Sequence, residues 1–401
     1  MSARPRLFYL ARTAPSRISG ATLAMRRHFL EHDDMDLFVA TSEAFEEPGV
    51  PQLTLKAPAW WRRIGRTRFW RAVHNAEIIA LAHRLPPDLL AAARQYRPDA
   101  IFTVADLTLS DNARLLARRL GLPLIVNFQD WWPRGQFYYP QETPFRPLVP
   151  LLERRFRRLY REAALAFCTS EGMREFLGPH PNSHVLYPIG SGEAGAPMTW
   201  LAAPESPAPQ PGKRQLVYTG TAFGSYGRML QELAAALEGH PRWELVIYGK
   251  RPDWPAERIA AAEASGLYRG FLPFEQLRTV LASADACLSV MSFDPALDLM
   301  MRTSFTTKVL DYCSAGRPIL MWGPPFCSPI RLLERQRAGL TITTPCPEDV
   351  LACLERLDTE PDLSDELSRA ALALADGELS HASIHATFVG EISKLLTQSD
   401  P

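Results

Sequence analysis

Lys308 and Asp311 stand one helical turn apart, after Thr306 and Thr307 and ahead of Gly316-Arg317-Pro318. This order predicts a helix that starts in a polar loop, with a threonine as its N-cap and Gly316 before Pro318 as its stop. The start of such a helix offers free backbone N–H groups and the positive end of the helix dipole, which together suit a phosphate. Lys308 adds a full cation in the first turn, and Asp311 is placed to accept hydrogen bonds from ribose hydroxyls. The chemistry is that of gripping a nucleoside diphosphate at both ends. The same spacing also fits an exposed helix pair followed by an ordinary turn.

Thr306, Thr307, Lys308, Asp311, Tyr312, Gly316, Arg317 and Pro318 fall in register on a Pro-Ser-Lys-x-x-Glu-Tyr-x-x-x-Gly-Lys-Pro pattern. In this the stretch resembles the signature of retaining GT-B glycosyltransferases of the family-four, or group 1, type. The resemblance implies an α/β protein with two Rossmann-like, doubly wound domains facing across a cleft. It implies hexosyl transfer from a nucleotide sugar to a glycan, lipid-linked or small-molecule acceptor, with retention and without a metal or other cofactor. The second domain would bind the donor and the first the acceptor. Lys308 would stabilise the leaving diphosphate, and a C-terminal helix would cross back to the first domain. The chain departs from the pattern at Thr221 and Tyr226, where many relatives place Arg and Lys, with Arg228 just beyond as a substitute. Thr303 stands in place of the first residue of an acidic pair, and Asp311 is shorter than the usual second. Two other readings fit these departures: a nucleotide-sugar epimerase of the same architecture, and a catalytically silent sugar-nucleotide or glycan-binding protein.

In open α/β sheets ligands bind beyond the carboxyl ends of strands, so residues just after each apolar run are the candidates. In the second half these are Gly220, Thr221, Gly224 and Arg228 in one turn, Gly249 and Lys250 in another, Phe293 in a third, and Thr306 and Thr307 before the helix. Glycine at such turns lets backbone approach a diphosphate closely, and strand-to-helix turns also need glycine for their own geometry. In the first half Asp130 ends an apolar run and precedes Trp131-Trp132-Pro133. The resemblance gives this region a residue facing sugar or acceptor, for sugar orientation or acceptor deprotonation, whereas a local reading makes Asp130 a turn residue. Gly20, in the first loop, corresponds by resemblance to a glycine near the donor phosphates.

The elements that must position these residues are apolar strands alternating with helical stretches. RLFYLA at 6, DLFVAT at 36, AIFTVA at 100, LIVNFQD at 124, ALAFCTS at 164 and HVLYP at 184 predict strands in the first half. QLVYTG at 215, ELVIYG at 244, LYRGFL at 267, ACLSVM at 286, PILMWG at 318 and LTITT at 340 continue the alternation, which argues parallel, doubly wound sheets. Five prolines in 197–211 read as a linker. The expected division is 1–196, a linker 197–212, a nucleotide-sugar domain 213–375 and a C-terminal helix within 376–401.

The chain of 401 residues is long enough for two cores, and 46% hydrophobic with 22% charged residues excludes disorder throughout. Net charge is zero, yet by count the first 200 residues carry an excess of about seven positive charges and the remainder the matching negative excess. Six scattered cysteines without a C-x-x-C pair suit reduced thiols in the cytoplasm. The N-terminus lacks signal-peptide features, and no window is apolar enough to span a bilayer. Two Arg-aromatic stretches, 57–71 and 153–161, suit a peripheral contact with an anionic membrane, or simply helices with buried aromatics. A nucleic-acid partner is not expected. His28-Phe29-Leu30-Glu31-His32 matches a metalloprotease pattern without a visible third ligand and reads as a helix face. His381 and His385 read as a solvated helix face, and Asp34-Met35-Asp36 as surface charge.

Overall fold

A computed structural model describes residues 4–16, 20–56, 63, 67, 69–80, 83–106, 108–134, 145–190 and 212–398. The chain divides into two units, one of Met1–Pro188 with Ile384–Pro401 and the other of Ile189–Ser383. The proline-rich stretch read as a linker lies outside the described residues except for Gly212.

The first unit is built on β1 (Arg6–Ala11), β2 (Asp36–Thr41), β3 (Gln52–Thr54), β4 (Ala100–Val104), β5 (Leu124–Phe128), β6 (Leu165–Cys168) and β7 (Ser183–Val185). They form one parallel sheet in the order β3-β2-β1-β4-β5-β6-β7. Central strands β4 and β5 are buried along their whole length, as expected where helices cover both faces and the strand reads as a continuous apolar run. The second unit carries β8 (Arg214–Thr219), β9 (Trp243–Tyr248), β10 (Ala286–Val290), β11 (Ile319–Trp322) and β12 (Leu340–Ile342), all parallel, in the order β12-β11-β10-β8-β9. Two Rossmann-like sheets are thus present, as the alternation of strands and helices predicts.

LYRGFL does not form a strand and makes only an isolated bridge from Tyr268 to Ile247. Gly266 just before it and Gly270 within it have positive φ, and the Arg269 side chain folds back to donate to the Gly266 carbonyl, so the run is a bent connection.

The second Arg-aromatic stretch turns inward. It lies on the helix Val149–Glu162, where Phe156, Leu159 and Tyr160 are buried. Buried Arg155 donates to Asp111 and to the Ile78 carbonyl, Arg158 reaches Asp111 at 3.2 Å, and Arg157 lies over the rings of Trp131 and Phe176. Its chemistry is spent on holding this helix to Leu109–Leu120. Most of the first stretch lies outside the described residues, although Phe69 and Trp70 are exposed. No helix among the described residues is long and apolar enough to cross a membrane.

From Ile384 onwards the last helix, His381–Gln398, completes the first unit. Phe388 is fully buried there, edge-on to Phe29 and Phe102 and beside Phe167. His385, expected on a solvated face, is instead buried. Its Nδ1 lies 3.2 Å from His28 Nδ1, and its Nε2 lies 2.8 Å from a carboxylate oxygen of Asp34. The physical reason is packing: Ile384, Phe388 and Ile392 face the core at helical spacing, and this rotation carries His385 inside.

Candidate functional site

In the second unit the strand order reverses between β8 and β10, so the crevice for a ligand lies beyond their carboxyl ends. The turn after β8 begins at Gly220 and the segment after β10 carries Ser292 and Phe293. The helix Lys308–Ala315 is tied to this point by Tyr312, whose buried hydroxyl accepts the backbone N–H of Thr219 at 2.9 Å and lies 3.0 Å from the Thr219 hydroxyl. Tyr312→Phe leaves that amide buried without its acceptor. It should therefore cost about 1–3 kcal/mol in urea unfolding while the slope of the transition stays unchanged.

Gly220 and Gly249 are adjacent in space and glycine is required at both. Gly249 has φ +152, and a Cβ there would sit 1.9 Å from the Gly220 carbonyl oxygen. A Cβ on Gly220, at φ +122, would sit 2.4 Å from Lys308 Cε. The missing side chain of Gly220 is therefore the space through which the lysine stem passes. Lys308 Nζ donates to the Tyr218 hydroxyl at 3.0 Å, and Tyr218 in turn donates to the Thr221 carbonyl at 2.7 Å. The ammonium also lies over the Tyr218 ring at 4.6 Å and 5.8 Å from the Tyr226 ring centroid. Burial pushes Lys308 down to about 8, and no carboxylate among the described residues pairs with it. A half-buried cation set among tyrosines at a switch point can stabilise an incoming anion with little reorganisation.

The neighbouring candidates divide into groups. Thr221 and Phe293 are half-buried at this point, with Phe293 6.4 Å from the Trp322 ring, and Lys250 is exposed after β9. Gly224 opens the helix Gly224–Ala236, but its N–H already donates to Asp253 at 2.9 Å, so a carboxylate of the chain holds the place expected for phosphate. Arg228 lies on the exposed side and pairs with Asp294 at 3.7 Å. Thr307 occupies the N-cap position of the lysine helix with helical backbone angles and makes no side-chain capping bond, contrary to the capping expected of it. The Thr306 and Thr307 carbonyls start the helix by accepting from Val309 and Leu310. Asp311 lies close to Gly190. Its Oδ1 lies 3.3 Å from where a Cβ on Gly190 would be. Thr303 is fully buried and donates to the Leu299 carbonyl, which makes it scaffold.

In the first unit the reversal lies between β1 and β4. The residue there is Asp106, which the sequence reading passed over although the strand-end rule applies to it. Its carboxylate accepts the N–H groups of Arg12, Thr108 and Ser110, and burial outweighs these bonds, raising its pKa. With its acceptor sites taken by backbone, Asp106 shapes the site without being free to act on a substrate. Asp130 is different. It lies half-buried after β5, no side-chain hydrogen bond to it is present among the described residues, and burial pushes its carboxyl up to about 6. That value is suited to a general base at neutral pH. Gly20 is the first residue of the helix Gly20–Leu30, and residues 17–19 before it lie outside the described residues.

Residues 14–188 match the glycosyl transferase 4-like domain. A sequence search of curated proteins finds no match. Among solved structures, sucrose-phosphate synthase from Thermosynechococcus elongatus is similar over 99% of this chain and 100% of its own, with 13% identity and a TM-score of 0.66. Anabaena HepE, solved in complex with UDP, is similar over 97% of this chain and 100% of its own, with 12% identity and a TM-score of 0.65. Trehalose 6-phosphate synthase from Burkholderia multivorans covers 99% of this chain and 98% of its own, with 11% identity and a TM-score of 0.63. At these identities the likeness speaks for the fold. The two Rossmann-like sheets match GT-B structures end to end, so the chain has the GT-B architecture, and its residues 14–188 are similar to a glycosyl transferase 4-like domain.

Proposed function

We propose that the protein moves a hexosyl unit from a nucleotide sugar, held by the second unit, to a glycan, lipid-linked or small-molecule acceptor held by the first, with retention. The observation that carries this reading is Lys308, a half-buried ammonium without a carboxylate partner among the described residues, under the Gly220 turn at the β8/β10 switch point. It stabilises the diphosphate as charge builds up on the leaving group, a task that needs no divalent ion when a protein cation and backbone N–H groups supply the positive potential. Thr221, Lys250 and Phe293 flank the nucleotide, Asp311 takes the ribose, and Asp130 orients the sugar or deprotonates the acceptor. Gly224 and Arg228 contribute less than their sequence positions suggest, because Asp253 and Asp294 already engage them. The exposed Phe69 and Trp70 belong to an Arg-rich segment through which the cytoplasmic enzyme meets an anionic membrane surface.

The test is a thermal-shift screen against UDP, GDP, ADP and dTDP sugars, followed by turnover in EDTA with the donor that binds. UDP-glucose comes first, because HepE was also solved in complex with it. One nucleoside should raise Tm, since binding to the folded form alone adds stability with ligand excess. The same donor should then yield nucleoside diphosphate and glycosylated acceptor. Appearance of an epimerised sugar without acceptor identifies an epimerase, and binding without turnover identifies a silent binding protein. If no donor shifts Tm, the donor site proposed here is wrong.

A further inference from the structure

His28, His32, Asp34 and His385 form a cluster that the transfer chemistry does not use. Asp34 and His32 sit in the turn between the helix Gly20–Leu30 and β2, on the amino edge of the sheet, the edge opposite the strand ends that carry Asp106 and Asp130. His385 reaches the same point from the last helix, 351 residues after Asp34. The His32 ring stacks on His385 with centroids 3.7 Å apart, and one ligand atom from each of His32, Asp34 and His385 lies within 4.8 Å of the others.

We propose that His32, Asp34 and His385 bind a divalent transition-metal ion of the zinc class, which clasps the last helix to the corner of the first unit. Two imidazoles and one carboxylate are the ligand types such an ion takes, with water completing the shell. Ligands about 2.0–2.2 Å from a tetrahedral ion lie about 3.3 Å from one another. His385 Nε2 and Asp34 Oδ2, now 2.8 Å apart, need to open by only about half an ångström. His32, exposed at the turn, must swing its ring out of the stack to bring its nitrogen into line.

The surroundings favour the ion. Residues 31–36 read Glu-His-Asp-Asp-Met-Asp, a local excess of negative charge. Arg4 engages Asp33 at 2.6 Å and Arg27 approaches Glu31 at 3.9 Å. The contact between the Nδ1 atoms of His28 and His385 can hold one proton. With that proton on His385 and accepted by buried His28, Nε2 of His385 is unprotonated, the tautomer a metal requires. The H-x-x-E-H pattern thus supplies one ligand and one orienting residue rather than a pair of ligands.

The experiment uses the full chain, stripped with chelator and titrated with zinc chloride by calorimetry and with cobalt(II) by absorbance. Wild type should bind one ion per chain and gain Tm on saturation. His32→Gln and Asp34→Asn, both at exposed positions and therefore expected to fold, should each weaken the ion at least tenfold and lose the Tm gain. Their nucleotide binding should stay at wild-type strength. The cobalt complex should show ligand-field bands without thiolate charge transfer. No saturable binding, unchanged affinity in both variants, or a thiolate band pointing to exposed Cys346 would each overturn the proposal.

Discussion

Lys308→Ala is expected to lower affinity for the nucleoside diphosphate roughly tenfold to a hundredfold, the equivalent of about 1.5–3 kcal/mol for a charge-assisted contact. The pH dependence makes the expectation specific. Because burial holds Lys308 at about 8, the free protein loses this cation as pH rises from 7 to 9, and affinity should fall over that interval. A bound diphosphate favours the ammonium, so binding at pH 8.5 should take up a proton, measurable by calorimetry in buffers of different ionisation enthalpy. The alanine variant should show neither the decline nor the uptake. Asp311→Asn should weaken nucleotide binding while leaving inorganic pyrophosphate binding nearly unchanged, whereas Lys308→Ala weakens both. Wild-type affinity in both variants would make this helix ordinary scaffold.

Asp130→Asn should reduce turnover a hundredfold or more while leaving nucleotide binding intact. If Asp130 acts as the base, the wild-type rate should rise with pH through about 6 and level off, and the variant should lack that inflection. Stability supplies an independent readout. Between pH 4 and 6 the folded protein retains a proton that the unfolded chain has released, so Asp130 costs stability as pH rises through this window. Replacing it by asparagine should therefore raise Tm at pH 7 and give no such gain at pH 4. Near-normal turnover in the variant removes Asp130 from the mechanism, and a loss of stability at pH 7 shows that its carboxylate was holding the fold.

Strands with two buried faces were legible because a continuous apolar run such as Leu124–Phe128 has few other places to go. The edge strand Gln52–Thr54 was not, since three residues with two polar side chains carry no period. LYRGFL misled in the opposite direction, its composition being strand-like while Gly266 before it, Gly270 within it and Arg269 bend the chain. In the site, Lys308 and Gly220 were visible as types at strand ends, but their interlocking depends on Cβ positions that only packing fixes. Tyr218 was hidden inside an apolar run, and nothing local marks it as the residue that receives the ammonium. The histidine cluster was illegible for a simpler reason, since 357 residues separate His28 from His385.

The first unit is discontinuous, and this bears on synthesis. A ribosome finishes all seven strands of the first sheet about two hundred residues before it makes Phe388, which fills the space among Phe29, Phe102 and Phe167. Until then the nascent sheet carries an open aromatic socket, while the intervening unit, continuous in sequence, can fold as soon as it emerges. Such exposed apolar surface is what chaperones bind and what aggregates when left uncovered. The last unit to be completed is therefore the first to be translated, and the final helix acts as the plug that ends its wait.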